Sequence, residues 1–233
     1  MMRLIKKIAA TKLFSRIISP YHKEDFLNRF AKNKEVRILD VGCGNDSVQM
    51  IRYICDGKNS RIYYTGLDVG DYNLNAQSKE EIDEYVVVKP EEFAETILRW
   101  KSKEDVVISA HNLEHCDQPD VVLVNMIRTL KEGGNLYISF PSEDSVNFPK
   151  GYKGTLNFYD DTTHQNVPCW NNVLKILSDN DMEITYSNAK YRPLIPRIIG
   201  MITWPITKKR KTATWFTWQF FGFESIIWAR KNE

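Results

Sequence analysis

The chain has few cysteines, no internal repeat and no long apolar run, and each shortage removes a class of protein. Its four cysteines, Cys43, Cys55, Cys116 and Cys169, form no CxxC pair among 233 residues. That spacing argues against a thiolate metal site or a secreted disulfide scaffold, and it predicts free thiols in a reducing compartment. No stretch reaches the ~18 uninterrupted apolar residues of a spanning helix. Lys6, Lys7, Lys12 and Arg16 break up the N-terminal segment, so it does not read as a signal peptide. The expected location is therefore the cytoplasm. Net charge is only +2, from 32 Lys+Arg against 30 Asp+Glu. That balance gives no whole-molecule case for nucleic-acid binding. Hydrophobic residues at 42% and charged residues at 27% exclude global disorder, and the length suits one domain with an appendage.

What is present is a repeating alternation of strand and helix signals. Val36–Val41, Arg61–Val69, Tyr85–Val88, Asp105–Ala110 and Leu136–Phe140 read as short buried strands. Between them, the stretch after Gly44 through Ile54, Glu91–Lys101 and Asp120–Leu130 read as helices. Strands spaced by helices predict βαβ units and a parallel sheet covered on both faces. Past Pro141 the pattern loosens into a loop-rich stretch, a helix at Trp170–Leu177 and strands at Met182–Tyr186 and Glu224–Arg230.

In such a sheet, ligands bind beyond the carboxyl ends of the strands. The first strand runs into Asp40-Val41-Gly42-Cys43-Gly44-Asn45-Asp46-Ser47. Gly42 and Gly44 permit a tight turn and close backbone approach. A dinucleotide-binding GxGxxG would need a glycine where Ser47 stands, which disfavours a nicotinamide dehydrogenase. Asp68 closes the second strand, where a carboxylate can accept hydrogen bonds from both ribose hydroxyls. A carboxylate just before the glycines, Asp40, suits a ligand bearing an ammonium group.

ILDVGCGNDS (Ile38–Ser47), GLDV (Gly66–Val69), DVVISAHNLEHC (Asp105–Cys116) and LKEGGNLYISFPS (Leu130–Ser142) occur in order. Together they resemble the class I S-adenosylmethionine-dependent methyltransferases over about residues 35–190. The resemblance implies a Rossmann-like, doubly wound, mostly parallel seven-stranded α/β sheet whose last strand is antiparallel. It implies S-adenosylmethionine as cofactor, with Asp40, Gly42, Cys43 and Gly44 around its methionine part. Asp68 would hold the ribose, Val69 would lie beside the adenine, and Ala110 and His111 would line the methyl-donor site. Many family members carry a third glycine where this chain has Asp46.

His111-Asn112-Leu113-Glu114-His115 also fits H-x-x-E-H, a zinc-peptidase pattern. It follows a buried strand and runs into Asp117-Gln118-Pro119, which stops a helix, so no metal is expected there. His115 reads as a structural histidine. Asp160-Asp161-Thr162-Thr163-His164 resembles the D-x-T-H segment of bacterial sugar and polysaccharide O-methyltransferases. A hydroxyl acceptor needs a base, and a histidine suits that task. His164 is therefore the candidate base, with Asp161 or Asp160 orienting it. The alternative reading of His164 is a loop residue bonded to local backbone.

Both ends of the chain are basic. Residues 1–35 hold nine basic and three acidic side chains, and residues 192–233 hold eight and two. Residues 1–34 read as a basic helical segment and 35–233 as the methyltransferase domain, with 192–223 a basic aromatic insertion before the last strand. Leu4, Ile5, Ile8 and Ala9 lie roughly opposite Leu13, Phe14, Ile17 and Ile18 on a helical projection, which predicts a kinked pair of helices. Residues 1–18 and 204–218, with Trp204, Trp215, Trp218 and Lys208–Lys211, are candidates for peripheral contact with the inner membrane face. A lid, a dimer contact and a solvated surface are the alternatives, and nucleic acid is disfavoured. The sequence thus points to an enzyme that methylates a hydroxyl of a sugar, a surface-glycan precursor or a small metabolite. An RNA or protein methyltransferase using the basic tail, and a non-catalytic partner that binds S-adenosylmethionine, are the other readings.

Overall fold

A computed structural model describes residues 17–30, 35–44, 61–71 and 82–233. The expected helix after Gly44, the half-turns before Ile17, and Asp46, Ser47 and Cys55 lie outside the described residues. Seven strands form one sheet: β1 Glu35–Val41, β2 Arg61–Asp68, β3 Glu84–Val87, β4 Glu104–Ala110, β5 Leu130–Pro141, β6 Met182–Asn188 and β7 Glu224–Lys231. Their order is β3-β2-β1-β4-β5-β7-β6. β7 runs antiparallel to both β5 and β6, while the other pairs are parallel. The sheet is the expected doubly wound arrangement, and its order reverses between β1 and β4. That is where such sheets bind ligands.

Period-two alternation divides the core. Leu39 and Val41 of β1, Val107 of β4, Leu136 and Ile138 of β5 and Ile227 of β7 face one side. They pack against α2 (Pro90–Thr96), α3 (Pro119–Thr129) and α4 (Trp170–Asp179) through Phe93, Met126 and Leu177. Ile38, Val106, Ile108, Tyr137 and Trp228 face the other side and meet Phe26 and Leu27 of α1 (Lys23–Phe30). Residues of the N-terminal segment are therefore part of the sheet's second core. β5 starts earlier than its sequence suggests. Its ladder with β4 jumps from Glu104↔Leu130 to Val106↔Asn135, so Gly133 and Gly134 lie in an irregularity within the strand and do not end α3.

The proline-bearing stretch before β7 is a helical hairpin, α5 (Leu194–Arg210) and α6 (Trp215–Phe221). Pro193 caps α5 and Pro196 lies in its first turn, where no intrahelical N–H bond is lost. Gly200 allows the two helices to touch. A Cβ there would lie 2.0 Å from the Phe216 carbonyl oxygen and 2.8 Å from Phe220 Cβ. Gly200→Ala should therefore force the hairpin apart and destabilise the fold by about 1–3 kcal/mol. Urea unfolding checks this, and an unchanged midpoint would refute the close contact.

The three tryptophans expected to meet a membrane are half-buried instead. Trp204 and Trp218 pack with Tyr152, Leu156 and Ala213. The indole of Trp218 also donates to the Thr155 carbonyl at 2.7 Å. Among the described residues no helix is long and apolar enough to cross a membrane.

Candidate functional site

The site is built at the carboxyl rim of β1, β2 and β4. Gly42 (φ 75°) and Gly44 (φ 55°) both take left-handed backbone conformations. The Gly42 and Cys43 amides donate to the Leu67 carbonyl at 2.8 and 3.3 Å, which ties the turn to the end of β2. A Cβ on Gly42 would strike the Asn112 side chain at 2.4 Å, whereas one on Gly44 would meet none of the described residues within 4 Å.

Asp68 lies directly beside this turn. Its Oδ2 accepts from the Gly44 amide and its Oδ1 from the Val69 amide, both at 2.7 Å. Burial raises its pKa, against the lowering effect of those backbone donors and of the nearby His115. The carboxylate keeps acceptor capacity for an incoming hydroxyl. Val69, next in the chain, is exposed although apolar. Asp40 is almost fully buried, and its Oδ2 accepts from the Tyr64 hydroxyl at 2.8 Å. Cys43 is buried too, and its thiol is pushed up by burial and then by Asp40 and Asp68. The glycine turn and both predicted carboxylates are therefore neighbours.

Beside Gly42, the Asn112 side chain is nine-tenths buried and its Nδ2 has no partner among the described residues. An orphaned donor, a stretch of left-handed backbone and a partly used carboxylate meet at one rim. That donor set suits a nucleoside whose amino-acid end carries a carboxylate and whose ribose carries two hydroxyls. Sequence reasoning missed Asn112. The only signal for it is its place immediately after the strand-end His111.

His111 leaves β4 in a left-handed conformation (φ 51°), and its backbone amide donates to Ser139. The ring packs near Trp218 and Phe223. Its Nδ1 lies 3.1 Å from Glu114 Oε1 and its Nε2 lies 3.3 Å from Glu224 Oε1. Burial would lower its pKa, but contacts with the two carboxylates outweigh burial and raise it to about 9. Glu224 also reaches His22 (Nε2–Oε2 3.4 Å), and His22 Nδ1 pairs with Glu24. Glu24, His22, Glu224, His111 and Glu114 thus form a partly buried chain of alternating carboxylates and imidazoles. Its outer members are on or beside α1 and in the turn after β4. His111 is a link in this chain, its Nδ1 hydrogen-bonded to Glu114 and its Nε2 within ion-pair distance of Glu224.

The H-x-x-E-H segment is a single 3-10 turn, Leu113–His115, and its two histidines diverge. His115 turns instead to the D-x-T-H loop. Gln165 N donates to the Glu114 carbonyl at 2.8 Å and Gln165 Nε2 to the His115 carbonyl at 2.9 Å, docking that loop on the turn. Thr163 Oγ1 donates to Asp161 Oδ1 at 2.6 Å, so His115 Nδ1 is the donor toward Thr163 Oγ1 at 3.0 Å. His164 Nδ1 donates to the Phe158 carbonyl at 2.7 Å. Both rings therefore leave Nε2 as a lone pair. The His164 side chain is only 5% exposed. Its pKa is lowered, chiefly by burial and also by His115.

The expected orienting aspartates work differently. Asp160 accepts from the amides of Gly151, Tyr152, Leu156 and Asn157, so it shapes the loop. Asp161 lies 3.9 Å from His164 Nε2, on the ring's free side. The group that orients His164 is the Phe158 carbonyl, because that oxygen holds Nδ1. Glu114, fully buried, brings a third acceptor, and its Oε2 has no partner among the described residues. One ligand-type atom each from Glu114, His115 and His164 lies within 4.8 Å of the others. Three acceptors converge with no donor identified between them, an arrangement that can take up a proton or a cation.

Residues 13–182 match the family model described as "Methyltransferase domain", well over half of the chain. The chain belongs to that methyltransferase family. It is an S-adenosylmethionine-dependent methyltransferase domain. Solved structures share the fold of this methyltransferase. A protein described as a methyltransferase, in complex with the Haloferax volcanii Trm112 methyltransferase activator, is 14% identical with a TM-score of 0.61, covering 98% of each chain. An S-adenosylmethionine-dependent methyltransferase from Mesorhizobium loti is 13% identical with a TM-score of 0.60, covering 92% of this chain and all of that one. Another from Archaeoglobus fulgidus is 20% identical with a TM-score of 0.50, covering 94% and 98%. No curated protein sequence matches the methyltransferase chain.

Proposed function

We propose that this methyltransferase O-methylates a hydroxyl on a sugar, a surface-glycan precursor or a related small metabolite. The observation that carries the proposal is the trio of acceptor atoms from Glu114, His115 and His164, of which His115 is near enough to Asp68 to act on its charge. A neutral alcohol is a poor nucleophile and must give up its proton as it reacts. His164 Nε2 receives that proton, and the Phe158 carbonyl holds the ring in the required tautomer. Glu114 and Asp161 steady the positive charge that develops on the ring. S-adenosylmethionine supplies an electrophilic methyl group on a sulfonium. The chain's other task is alignment of the acceptor with that group.

In this reading Asp68 holds the ribose hydroxyls, with Val69 against the adenine. Gly42, Cys43 and Gly44 give the methionine part its bare-backbone bed, and Asn112 Nδ2 and the rim at Ala110 border it. Asp40 acts from beneath, steadying the turn through Tyr64. Asp68→Ala should weaken S-adenosylmethionine binding about 10- to 100-fold, the loss of charge-assisted hydrogen bonds. Isothermal calorimetry reads this directly, and unchanged affinity would remove Asp68 from the cofactor site.

The function is tested by incubating the protein with isotopically labelled S-adenosylmethionine and fractionated cell extract, followed by mass spectrometry. Label in a methyl ether of a sugar or small metabolite is the expected result. Label in RNA or protein, or no transfer despite cofactor binding, would overturn the assignment.

A further inference from the structure

We propose that α5 is an interfacial helix that seats the enzyme on an anionic lipid surface. The helix is turned inside out. Its large aliphatic side chains, Leu194, Ile195, Ile198, Met201, Ile202 and Ile206, are exposed, with Leu194 at 70% and Ile202 at 67%. At 100° per residue they occupy an arc of about 140° on one face. The opposite face, which is buried, carries Pro196, Gly200 and Thr207. The contact of Gly200 with the Phe216 carbonyl fixes the rotation of α5 against α6. The aliphatic face cannot turn inward without losing that contact.

Charge selects the occupant. From Ile184 to Phe223 there is no Asp or Glu, against seven Lys and Arg. Lys190 is paired with Asp144, and the Lys211 ammonium lies over the Tyr152 ring. Arg197, Lys208, Lys209 and Arg210 are exposed and form no ion pair among the described residues. On the helical projection Lys209 falls within the aliphatic arc at the C-terminal end, and Arg197 and Lys208 border it. A second copy of this face would bring like charges together without carboxylates to meet them. An anionic bilayer offers an apolar layer for the aliphatic stripe and phosphates for its basic border. The helix is too short to cross a bilayer, so it lies in the interface plane. This surface is aliphatic and not the tryptophan-lined one expected from residues 204–218.

The test uses the full chain and extruded vesicles, either pure phosphatidylcholine or phosphatidylcholine with 30 mol% phosphatidylglycerol (about a third anionic lipid, enough for a clear surface potential). Cosedimentation should show binding to the anionic vesicles, weakening with added salt, and at least tenfold less to the neutral ones. The double variant Ile198→Asp, Ile202→Asp changes two outward side chains and should lose at least tenfold in vesicle binding. The triple variant Lys208→Glu, Lys209→Glu, Arg210→Glu should lose at least as much. Both variants should keep the wild-type melting temperature and S-adenosylmethionine affinity, which separates this inference from the methyltransferase reading. Absence of binding to anionic vesicles would overturn it. So would full binding by the Ile198/Ile202 variant, or a dimer in sedimentation equilibrium that this variant dissociates.

Discussion

A His164→Gln enzyme is expected to bind S-adenosylmethionine as tightly as the wild type and to turn over about 100- to 10,000-fold more slowly, the range that a positioned base contributes. Glutamine keeps a donor for the Phe158 carbonyl, so the loop keeps its anchor. It has no basic nitrogen to take a proton. Asp161→Asn should cost less, because Asp161 lies 3.9 Å from Nε2 and helps only through its charge. The wild-type rate should fall as the solution is acidified through the histidine range. His164 is held neutral by burial, with His115 adding to the effect, and proton transfer needs the neutral ring. Single-turnover kinetics separate this chemical loss from changes in cofactor binding. A rate within threefold of wild type (less than about 1 kcal/mol in barrier height) would remove His164 from the chemistry. Dialysis against a chelator supplies a second arm. A full rate after dialysis supports proton transfer, while a loss restored by manganese or zinc would reassign the Glu114–His115–His164 trio to a cation.

Glu224→Gln should destabilise the fold by up to about 3–5 kcal/mol, because it leaves two partly buried imidazoliums sharing a neutral amide, each with one carboxylate instead of two. For a chain of this length that corresponds to a melting point lower by about 6–20 °C. Calorimetry checks it, and a shift under about 2 °C, less than 1 kcal/mol, would mean that the charges are already well solvated. The same chain of groups sets the pH dependence of stability. His22 is raised from 6.5 to about 10, with contacts to Glu24 and Glu224 outweighing its burial, and His111 is raised to about 9. Their contribution is complete below pH 6.5 and is lost as pH rises through 9 and 10. Glu224 and Glu24 are held below their ordinary value of 4.5, where the two histidines outweigh burial. Their contribution is present above 4.5 and disappears as pH falls further. Wild-type melting temperature should therefore plateau between about pH 4.5 and 6.5 and decline on both sides. In Glu224→Gln the alkaline decline should be smaller and end at a lower pH, since His22 and His111 lose their shared counter-charge in the folded state while the onset at 6.5 belongs to the unfolded chain.

The sheet was legible because its strands are β-branched runs with clear stops, and because Gly42, Gly44 and Asp68 stand where a ligand-binding rim needs them. The hairpin of α5 and α6 was not legible. Pro193, Pro196 and Pro205 look like helix breakers, yet two of them sit where a helix begins. The outward aliphatic stripe gives helical periodicity with its burial reversed, which points a reader to the wrong face. The start of β5 was hidden by Gly133-Gly134, which resemble a helix stop but lie at a break in register. His115 carries two roles in one ring. It fastens the loop through Thr163, as a structural histidine should, and its other nitrogen completes the trio with His164. Such a pairing joins residues 49 positions apart and leaves no local trace. The Glu224 network is equally silent, since its members come from residues 22–24, 111–114 and 224.

The place of β7 has a consequence for how the polypeptide is made. β7 follows β6 in the chain, yet it lies inside the sheet, between β5 and β6. Until Glu224–Lys231 emerges, β5 and β6 each expose an unpaired edge on the nascent chain. Open edges of that kind recruit other chains. Truncation ahead of Glu224 should therefore leave a sticky, incomplete product.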